Sequence, residues 1–151
     1  MKSDNFRRES LNMFKNEIVV RFSECDSLGH VNNTNYFIYF EEARKELFQI
    51  FNPNLNISSW NLIVASTQCD YIREMSYAQK AYVYTWISRL GTSSFTVEHA
   101  ISDEDNNWIA RGRATLASFD FTERKAVPLT REFKERLLEH NEGPIGIPTL
   151  R

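Results

Sequence analysis

The segment "NNTNYFIYFEEARKELFQIF", residues 32–51, predicts a helix that is apolar on most of its sides. Its apolar side chains recur at α-helical spacing: Tyr36, Tyr39, Phe40, Ala43, Leu47 and Phe51. Phe37 and Ile38 widen this stripe almost all the way round the first two turns. Because such a helix must be buried, we expect it at the centre of the fold, ending at "NPN", residues 52–54.

Most of the remaining sequence is rich in β-branched and aromatic residues, which favour strands. The predicted strands are 17–24, 60–72, 81–90, 93–102 and 108–121. Short turns at 91–92 and 103–107 indicate hairpins, so we expect the last four strands to form an antiparallel meander. A helix that is apolar nearly all round needs a sheet to cover it. The sequence therefore predicts the α+β class, with five antiparallel strands around one long central helix.

The chain of 151 residues suits a single domain. We place this domain at 17–140, after a polar N-terminal segment, 1–16, and before an irregular tail, 141–151. A surface helix is expected near the end of the domain, with Thr130 as its N-cap. Three apolar residues are expected on one side of that helix: Phe133, Leu137 and Leu138.

Composition excludes several classes of function. The formal net charge is −2, which gives no electrostatic basis for binding nucleic acid or an anionic membrane. No apolar run approaches the roughly 20 residues of a membrane helix, and the start of the chain does not resemble a secretory signal. Cys25 and Cys69 form no disulfide framework. We expect a cytoplasmic protein.

The stretch "CDSLGHVNN", residues 25–33, places an acid, a glycine, an imidazole and two amides directly before the central helix. One interpretation is structural, because Asp caps turns and Asn caps helices. The other is chemical, because the Asp26 carboxylate can act as a general base or as a nucleophile. His30 is open in the same way: it either polarises a carbonyl and orients water or is structural. Cys25 points away from Asp26 on extended backbone and is expected to be structural.

Residues 21–44, "RFSECDSLGHVNNTNYFIYFEEAR", resemble the signature of acyl-CoA thioesterases of the 4-hydroxybenzoyl-CoA thioesterase type. That family carries an Asp, a Gly-His-Val-Asn-Asn-like stretch, a Tyr and a Phe-Glu-x-Ala-Arg run at these spacings. A weaker resemblance extends to 89–95 and 124–129. It implies a hot-dog fold, assembly into homodimers or homotetramers, and hydrolysis of an acyl-CoA at the subunit interface. It implies no metal and no redox cofactor, since CoA is part of the substrate.

Asp26 matches the catalytic carboxylate of that family. Gly29 allows a sharp turn, and its N–H or that of a neighbour is a candidate donor to the thioester oxygen. Asn33 and Tyr36 are assigned to substrate binding, although helix capping and core packing are the alternatives for these two residues. Glu42 and Arg44 are expected to form structural ion pairs, because charges on so buried a helix need partners.

Cationic side chains on the predicted strands are candidates for the CoA phosphates: Arg89, Arg111 and Arg113. Arg111 and Arg113 are expected on one strand face, and solvated surface charges are the alternative. Ser93 and Ser94 resemble a stretch that lies near the pantetheine in the family. No histidines or cysteines have metal-ligand spacing, so no metal site is predicted.

The first hypothesis is therefore an acyl-CoA thioesterase in which Asp26 is the base or nucleophile. Two alternatives remain open. One is a hot-dog module that binds acyl-CoA as a sensor without turnover. The other is a hot-dog dehydratase or hydratase, whose Asp and His pair has a different spacing and surrounding motif.

Overall fold

Five antiparallel strands curl around the predicted helix in a computed structural model that describes residues 12–151. The elements are β1 (Phe14–Val19), α1 (Asn33–Ala43), α2 (Lys45–Phe51), β2 (Leu62–Tyr71), β3 (Lys80–Leu90), β4 (Ser94–Asp103), β5 (Trp108–Asp120), β6 (Lys125–Ala126) and α3 (Arg131–Leu138). The α+β hot-dog arrangement expected from the sequence is confirmed. β1 spans Phe14–Val19, so the predicted strand 17–24 was wrong in its bounds, and Phe22–Glu24 form a 3-10 turn instead. The predicted N-terminal segment up to residue 11 lies outside the described residues.

The strand order in the sheet is β1-β3-β4-β5-β2. The two predicted hairpins are confirmed, since β3 pairs with β4 and β4 with β5. The prediction of a four-strand meander was wrong, because β2 pairs with β5 and not with β3. The segment between β2 and β3 crosses the sheet, which leaves β2 as one edge strand and β1 as the other.

The central helix is interrupted at Arg44, between α1 and α2. The Arg44 N–H donates to the Glu41 carbonyl, three residues back, at 3.1 Å, so the regular i to i−4 pattern is lost for one residue. The Arg44 side chain is only 3% exposed at this point and enters the core. The expectation of one continuous helix is corrected to two consecutive segments.

The concave face of the sheet packs on both helices. α1 contributes Tyr36, Tyr39, Phe40 and Ala43 to one apolar cluster, while α2 packs in a second cluster with β4, β5 and α3. Gly112 of β5 faces Phe40, and a Cβ at this position would lie closer than 3.0 Å to three atoms of the ring. The close approach of helix and sheet therefore depends on a glycine at 112.

α3 closes one end of the core. Thr130 is its N-cap, as predicted, and accepts a hydrogen bond from the Phe133 N–H at 3.1 Å. Leu137 is fully buried, but Leu138 is 49% exposed, so the expectation that Leu138 lies on the same side of the helix as Leu137 was wrong. The two residues are adjacent, and adjacent helical positions point about 100° apart.

The tail, 141–151, has no helix or strand, yet it lies across the outer face of the sheet. The Trp108 Nε1–H donates to the Gly146 carbonyl, and the Arg111 Nε–H donates to the Pro148 carbonyl, both at 2.9 Å. Gln68 of β2 donates to the Arg151 carbonyl, also at 2.9 Å. The tail is therefore irregular in conformation but fixed in place by side chains of β5 and β2.

Candidate active site

A tight turn before α1 holds Asp26 and His30 together. The Asp26 N–H donates to the His30 carbonyl at 2.9 Å, and the Gly29 N–H donates to the Asp26 carbonyl at 3.1 Å. The Asp26 carboxylate accepts a hydrogen bond from the Leu28 N–H at 2.9 Å. Gly29 has φ = +84°, and a Cβ there would meet no atom within 4 Å. Glycine is therefore required for the backbone conformation of this turn and not for space.

This turn borders a cavity of about 280 Å³. Its lining residues come from the turn, the first helical turn of α1, and the end of β2 with the segment that follows: Asp26, Leu28, His30, Val31, Asn33, Tyr36, Tyr71, Ile72, Arg73 and Glu74. Four residues that the sequence assigned to the site, Asp26, His30, Asn33 and Tyr36, thus line one cavity. Gly29 lies within the turn that shapes it.

The start of α1 forms one wall of the cavity. Asn32 is the N-cap, and its side chain accepts a hydrogen bond from the Thr34 N–H at 3.0 Å. The Asn35 N–H donates to the Asn32 carbonyl at 3.0 Å. The Asn33 N–H, by contrast, has no acceptor among residues 12–151. The first turn of α1 therefore presents an N–H group where a helix favours negative charge.

Two tyrosines shape the interior of the cavity. Tyr36 is 3% exposed, and its ring meets that of Tyr71 edge to face, with 5.0 Å between the centroids. Burial, followed by nearby negative groups, raises the pKa of Tyr36 to about 12, so the phenol stays protonated near neutral pH. The Tyr71 hydroxyl donates to the Asn33 carbonyl at 2.9 Å. Tyr71 therefore connects β2 to the helix start.

Glu24, which was not among the predicted site residues, anchors the turn to the helix. Its carboxylate accepts hydrogen bonds from the Arg21 N–H at 2.7 Å and the Tyr39 hydroxyl at 2.9 Å. Its carbonyl accepts a hydrogen bond from the Asn35 side chain at 2.8 Å. Burial alone would raise the pKa of Glu24, but the hydrogen bonds from Arg21 and Tyr39 outweigh burial and lower it. Glu24 was detectable only as a carboxylate two residues before Asp26.

Arg89, Ser93 and Ser94 lie away from this cavity, at the β3–β4 hairpin. The Arg89 side chain donates to the Ser94 hydroxyl and to Thr96 Oγ1, each at 3.1 Å. Ser93 accepts a hydrogen bond through its carbonyl from the Ser118 N–H at 2.8 Å. Within one subunit the hairpin is about 30 Å from the cavity end of β3, at the usual rise per strand residue.

Arg111 and Arg113 share the outer face of β5, as predicted, and most of their donors already bind groups of this chain. Both bind the Glu98 carboxylate, at 2.9 Å from Arg111 and 2.7 Å from Arg113. Burial alone would raise the pKa of Glu98. The hydrogen bonds from Arg113 and Arg111 outweigh the effect of burial, so the pKa of Glu98 is lowered. Arg111 is 5% exposed and also donates to the carbonyls of His99, Gly112 and Pro148. The alternative of a solvated surface charge was therefore wrong for Arg111, and neither arginine reaches the cavity.

Structural ion pairs were expected for Glu42 and Arg44, and this expectation was wrong for both residues. Among residues 12–151, Arg44 forms no ion pair with a carboxylate, and Glu42 is exposed. The guanidinium lies 3.1 Å from His99 Nε2, and burial lowers the pKa of Arg44 to about 10. His99 Nδ1 contacts Thr85 Oγ1 at 2.9 Å. Because arginine only donates, Nε2 of His99 must accept, and the ring proton lies on Nδ1.

A larger cavity, of about 530 Å³, lies between α2 and the edge strand β2. Its walls are mainly apolar: Phe48, Leu55, Ile57, Trp60, Leu62, Ile63, Val64 and Leu116. Glu41, Glu42 and Lys45 complete the lining. The cavity is not predictable from the local sequence, because it forms only when β2 lies next to β5 and beside the helix.

Residues 12–151 contain neither a cluster of metal ligands nor a helix that could span a membrane. Among residues 12–151, no group of three His, Cys, Asp or Glu side chains is arranged to hold a metal ion. No helix in the same part of the chain is long and apolar enough to cross a membrane. Both cysteines are free, and burial raises the pKa of Cys69 to about 12.

Comparison with known proteins agrees with this fold. The family model of the thioesterase-like superfamily matches residues 20–137. An uncharacterised Bacillus subtilis protein, YsmA, is 36% identical over 125 residues, covering 83% of this chain and 85% of YsmA. The structure of a predicted thioesterase from Bacillus stearothermophilus is 34% identical with a TM-score of 0.84, covering 87% of this chain and 98% of that one.

A third relative is a thioesterase from Thermus thermophilus, whose crystal structure contains coenzyme A and Zn. It is 28% identical with a TM-score of 0.74, covering 84% of this chain and 98% of that one. The fold and the family match define the class of the protein as a hot-dog thioester hydrolase. The chain belongs to the thioesterase-like superfamily.

Proposed function

We propose that this protein is an acyl-CoA thioesterase of the 4-hydroxybenzoyl-CoA thioesterase type, which hydrolyses its substrate to a free acid and CoA. The observation that carries the proposal is that Asp26, Tyr36 and the first turn of α1 line one cavity. The coenzyme A bound to the Thermus relative supports a CoA thioester as the ligand class. The motif around Asp26 supports the more specific type.

Asp26 is the base that activates water or the nucleophile that attacks the thioester carbon. The carbonyl oxygen of the substrate points to the start of α1, where the Asn33 N–H and the positive end of the helix stabilise the developing negative charge. The Gly29 N–H is not the donor in this arrangement, because it already binds the Asp26 carbonyl. Gly29 acts by holding the turn in shape.

The protein acts as a homodimer joined through β2. Residues 63–68 of β2 are exposed on both faces of the sheet, although this strand continues the core sheet. An edge strand with unpaired backbone groups and exposed apolar side chains, here Ile63 and Val64, is a template for a second strand. Antiparallel pairing about a two-fold axis satisfies the edges of both copies at once.

This pairing joins the two cavities across the interface. Trp60 of the large cavity and Tyr71 of the Asp26 cavity are the same number of residues along the sequence from the midpoint of the exposed run 63–68. Pairing centred on this run therefore brings Tyr71 next to Trp60 of the partner subunit. The acyl group extends from Asp26 into the partner's apolar cavity, between the helix and the edge strand.

The reaction needs no metal and no redox cofactor, because a carboxylate and helix N–H groups supply the base and the oxyanion donors. We expect turnover to survive a chelator and a reductant. Loss of turnover on chelation, restored by added zinc, would overturn this part of the proposal. Contacts from Arg89, Ser93, Ser94, Arg111 and Arg113 to CoA stay predictions.

The test compares two Asp to Asn variants. Asp26→Asn should keep the fold and lower kcat by about two to four powers of ten, the usual span for a general acid–base group. Asp120→Asn is the matched control, because the Asp120 carboxylate also accepts from backbone N–H groups of a turn, Thr122 at 2.8 Å and Glu123 at 3.0 Å. It should leave kcat unchanged in an assay of thiol release from a panel of acyl-CoAs.

Two results would reject the proposal. Near-normal thiol release by Asp26→Asn would remove Asp26 from the chemistry and return it to a turn-capping role. If every acyl-CoA binds but is recovered intact from the unmodified protein, the chain is an acyl-CoA-binding module and not a catalyst.

A further inference from the structure

We infer that Glu74 is a positioning residue that fixes His30 as the general acid for the leaving thiolate. This inference rests on the proposed function and adds a second proton-transfer group to Asp26. The carboxylate of Glu74 lies 3.1 Å from His30 Nε2, and both side chains line the cavity that contains Asp26. Nothing in the local sequence links these residues, which are 44 positions apart.

The backbone holds the two residues side by side. His30 forms an antiparallel bridge with Ser76, and the Val31 N–H donates to the Met75 carbonyl at 2.9 Å. Met75 is fully buried and fixes the segment after β2 against the turn. Glu74 is therefore the cross-strand diagonal neighbour of His30, within reach of its ring. The contact follows from the single backbone bridge between His30 and Ser76 and the hydrogen bond beside it.

The contact also determines which ring nitrogen faces the reaction. A carboxylate only accepts, so Nε2 of His30 carries a proton that it donates to Glu74. Nδ1 is then the nitrogen left for the cavity, where it holds a lone pair in the neutral ring and a proton in the imidazolium. This is the arrangement in which a carboxylate orients a histidine for proton transfer.

Proton transfers balance over one cycle. Asp26 takes a proton from water as the water oxygen bonds to the thioester carbon, and the carbonyl electrons form the oxyanion. The oxyanion then re-forms the C=O bond and breaks the C–S bond, whose electron pair leaves on sulfur. The His30 imidazolium gives its Nδ1 proton to that thiolate. The proton on Asp26 passes to Nδ1, which restores both groups and leaves a carboxylic acid and a thiol.

The contact between His30 and Glu74 is not explained by a contribution to folding stability. Glu74 is 74% exposed and His30 38% exposed, and an ion pair as accessible as this contributes little to folding. Glu74→Ala is therefore expected to leave the unfolding midpoint unchanged. A kinetic effect of this substitution can then be assigned to the reaction itself.

The kinetic test varies the leaving group. An acyl-CoA is compared with the S-phenyl thioester of the same acid, because thiophenolate is a weaker base that leaves without help from an acid. His30→Gln should lower kcat for the acyl-CoA by about 100-fold or more, the lower part of the span for a general acid. Glu74→Ala, which removes only the positioning group, should lower it by about 10- to 100-fold. For the phenyl thioester the loss should be less than about threefold, and Glu74→Gln should recover part of the activity on acyl-CoA.

Two control variants separate this inference from the proposed function. Asp26→Asn should lose activity on both esters, since attack by water precedes departure of the thiolate. Glu104→Ala removes another exposed carboxylate, paired with Lys80 at 3.6 Å outside the cavity, and should change neither rate. Equal losses on both esters for Glu74→Ala, or no loss on either, would overturn the inference while leaving Asp26 as the base.

A measurement without turnover gives a second test. The ¹⁵N chemical shifts of the His30 ring report which nitrogen carries the proton when the ring is neutral. We expect the Nε2–H form in the unmodified protein and a mixture of the two forms in Glu74→Ala. The Nδ1–H form in the unmodified protein would overturn the inference whether or not any acyl-CoA is hydrolysed.

Discussion

Gly29 connects backbone conformation to the proposed chemistry. Its φ of +84° costs an alanine about 1–2 kcal/mol, although a Cβ would meet no neighbouring atom. Gly146 in the tail, with φ = +77° and equally open surroundings, is a matched control. We expect Gly29→Ala and Gly146→Ala to lose similar stability in urea unfolding.

Only Gly29→Ala should lower kcat, because this change alone shifts the turn that holds Asp26 and His30. The measurement is urea unfolding together with thiol release for each variant. Equal kcat values in the two variants would show that the geometry of the turn is unimportant for the reaction.

His99 makes stability depend on pH. Full burial, followed by the charges of Arg44 and Arg111, lowers the pKa of His99 well below 6.5. As pH falls below about 6.5, the unfolded chain binds a proton at this residue that the folded protein does not bind. The free energy of unfolding should therefore fall by about 1.4 kcal/mol per pH unit in this range.

The His99→Gln variant, which cannot titrate, isolates this contribution. The pKa of His140 is also lowered by burial, but His140 is present in both proteins and cancels in the comparison. Urea unfolding at pH 6.5 and 5.0 should show a smaller acid loss in His99→Gln. The same loss in both proteins would contradict the assignment.

At the scale of elements, the distance between α1 and β5 is set by Gly112 and Phe40. Gly112→Ala forces the ring of Phe40 to move, and overpacking of this kind costs about 1–3 kcal/mol. Phe40→Leu makes room for the new methyl group. We therefore expect the double variant to be more stable than the sum of the two single losses predicts, as measured by a double-mutant cycle in urea. Simple additivity would mean that the helix shifts as a whole.

At the scale of the whole molecule, the edge strand β2 predicts a dimer at micromolar concentration by light scattering. Val64→Lys places a charge on the exposed apolar part of this edge and should give a monomer. Ile145→Lys is the control, because Ile145 is 77% exposed in the tail. A dimer that persists in Val64→Lys, or a monomeric unmodified protein, would reject assembly through β2.

A mixed dimer tests whether each active site uses both subunits. Asp26→Asn lacks the base, and Trp60→Glu places a charge in the apolar cavity, so each homodimer should be inactive. If Asp26 works with the cavity of the partner subunit, a mixed dimer contains one intact site and regains up to about half of the activity per dimer. No recovery after mixing and reassembly would place the base and the acyl cavity in the same subunit.

Local sequence predicted the elements of the site better than their long-range partners. The turn with Asp26 and His30 and the helix cap before Tyr36 were visible because their residues are close in sequence. Glu74 was missed because its contact with His30 depends on the segment that crosses from β2 to β3. Arg44 was assigned an ion pair because its observed neighbour, His99 of β4, is 55 positions away in the sequence.

The sequence by itself determined a buried helix, the strands of the sheet and a polar turn at the helix start, because periodicity and turn residues act over a few positions. The tertiary structure alone decided that β2 lies beside β5 and that the tail crosses the outer face. It also decided that an apolar cavity opens along the β2 edge. These features depend on which surfaces meet after the chain crosses over, and periodicity within one segment does not specify its neighbour in the sheet.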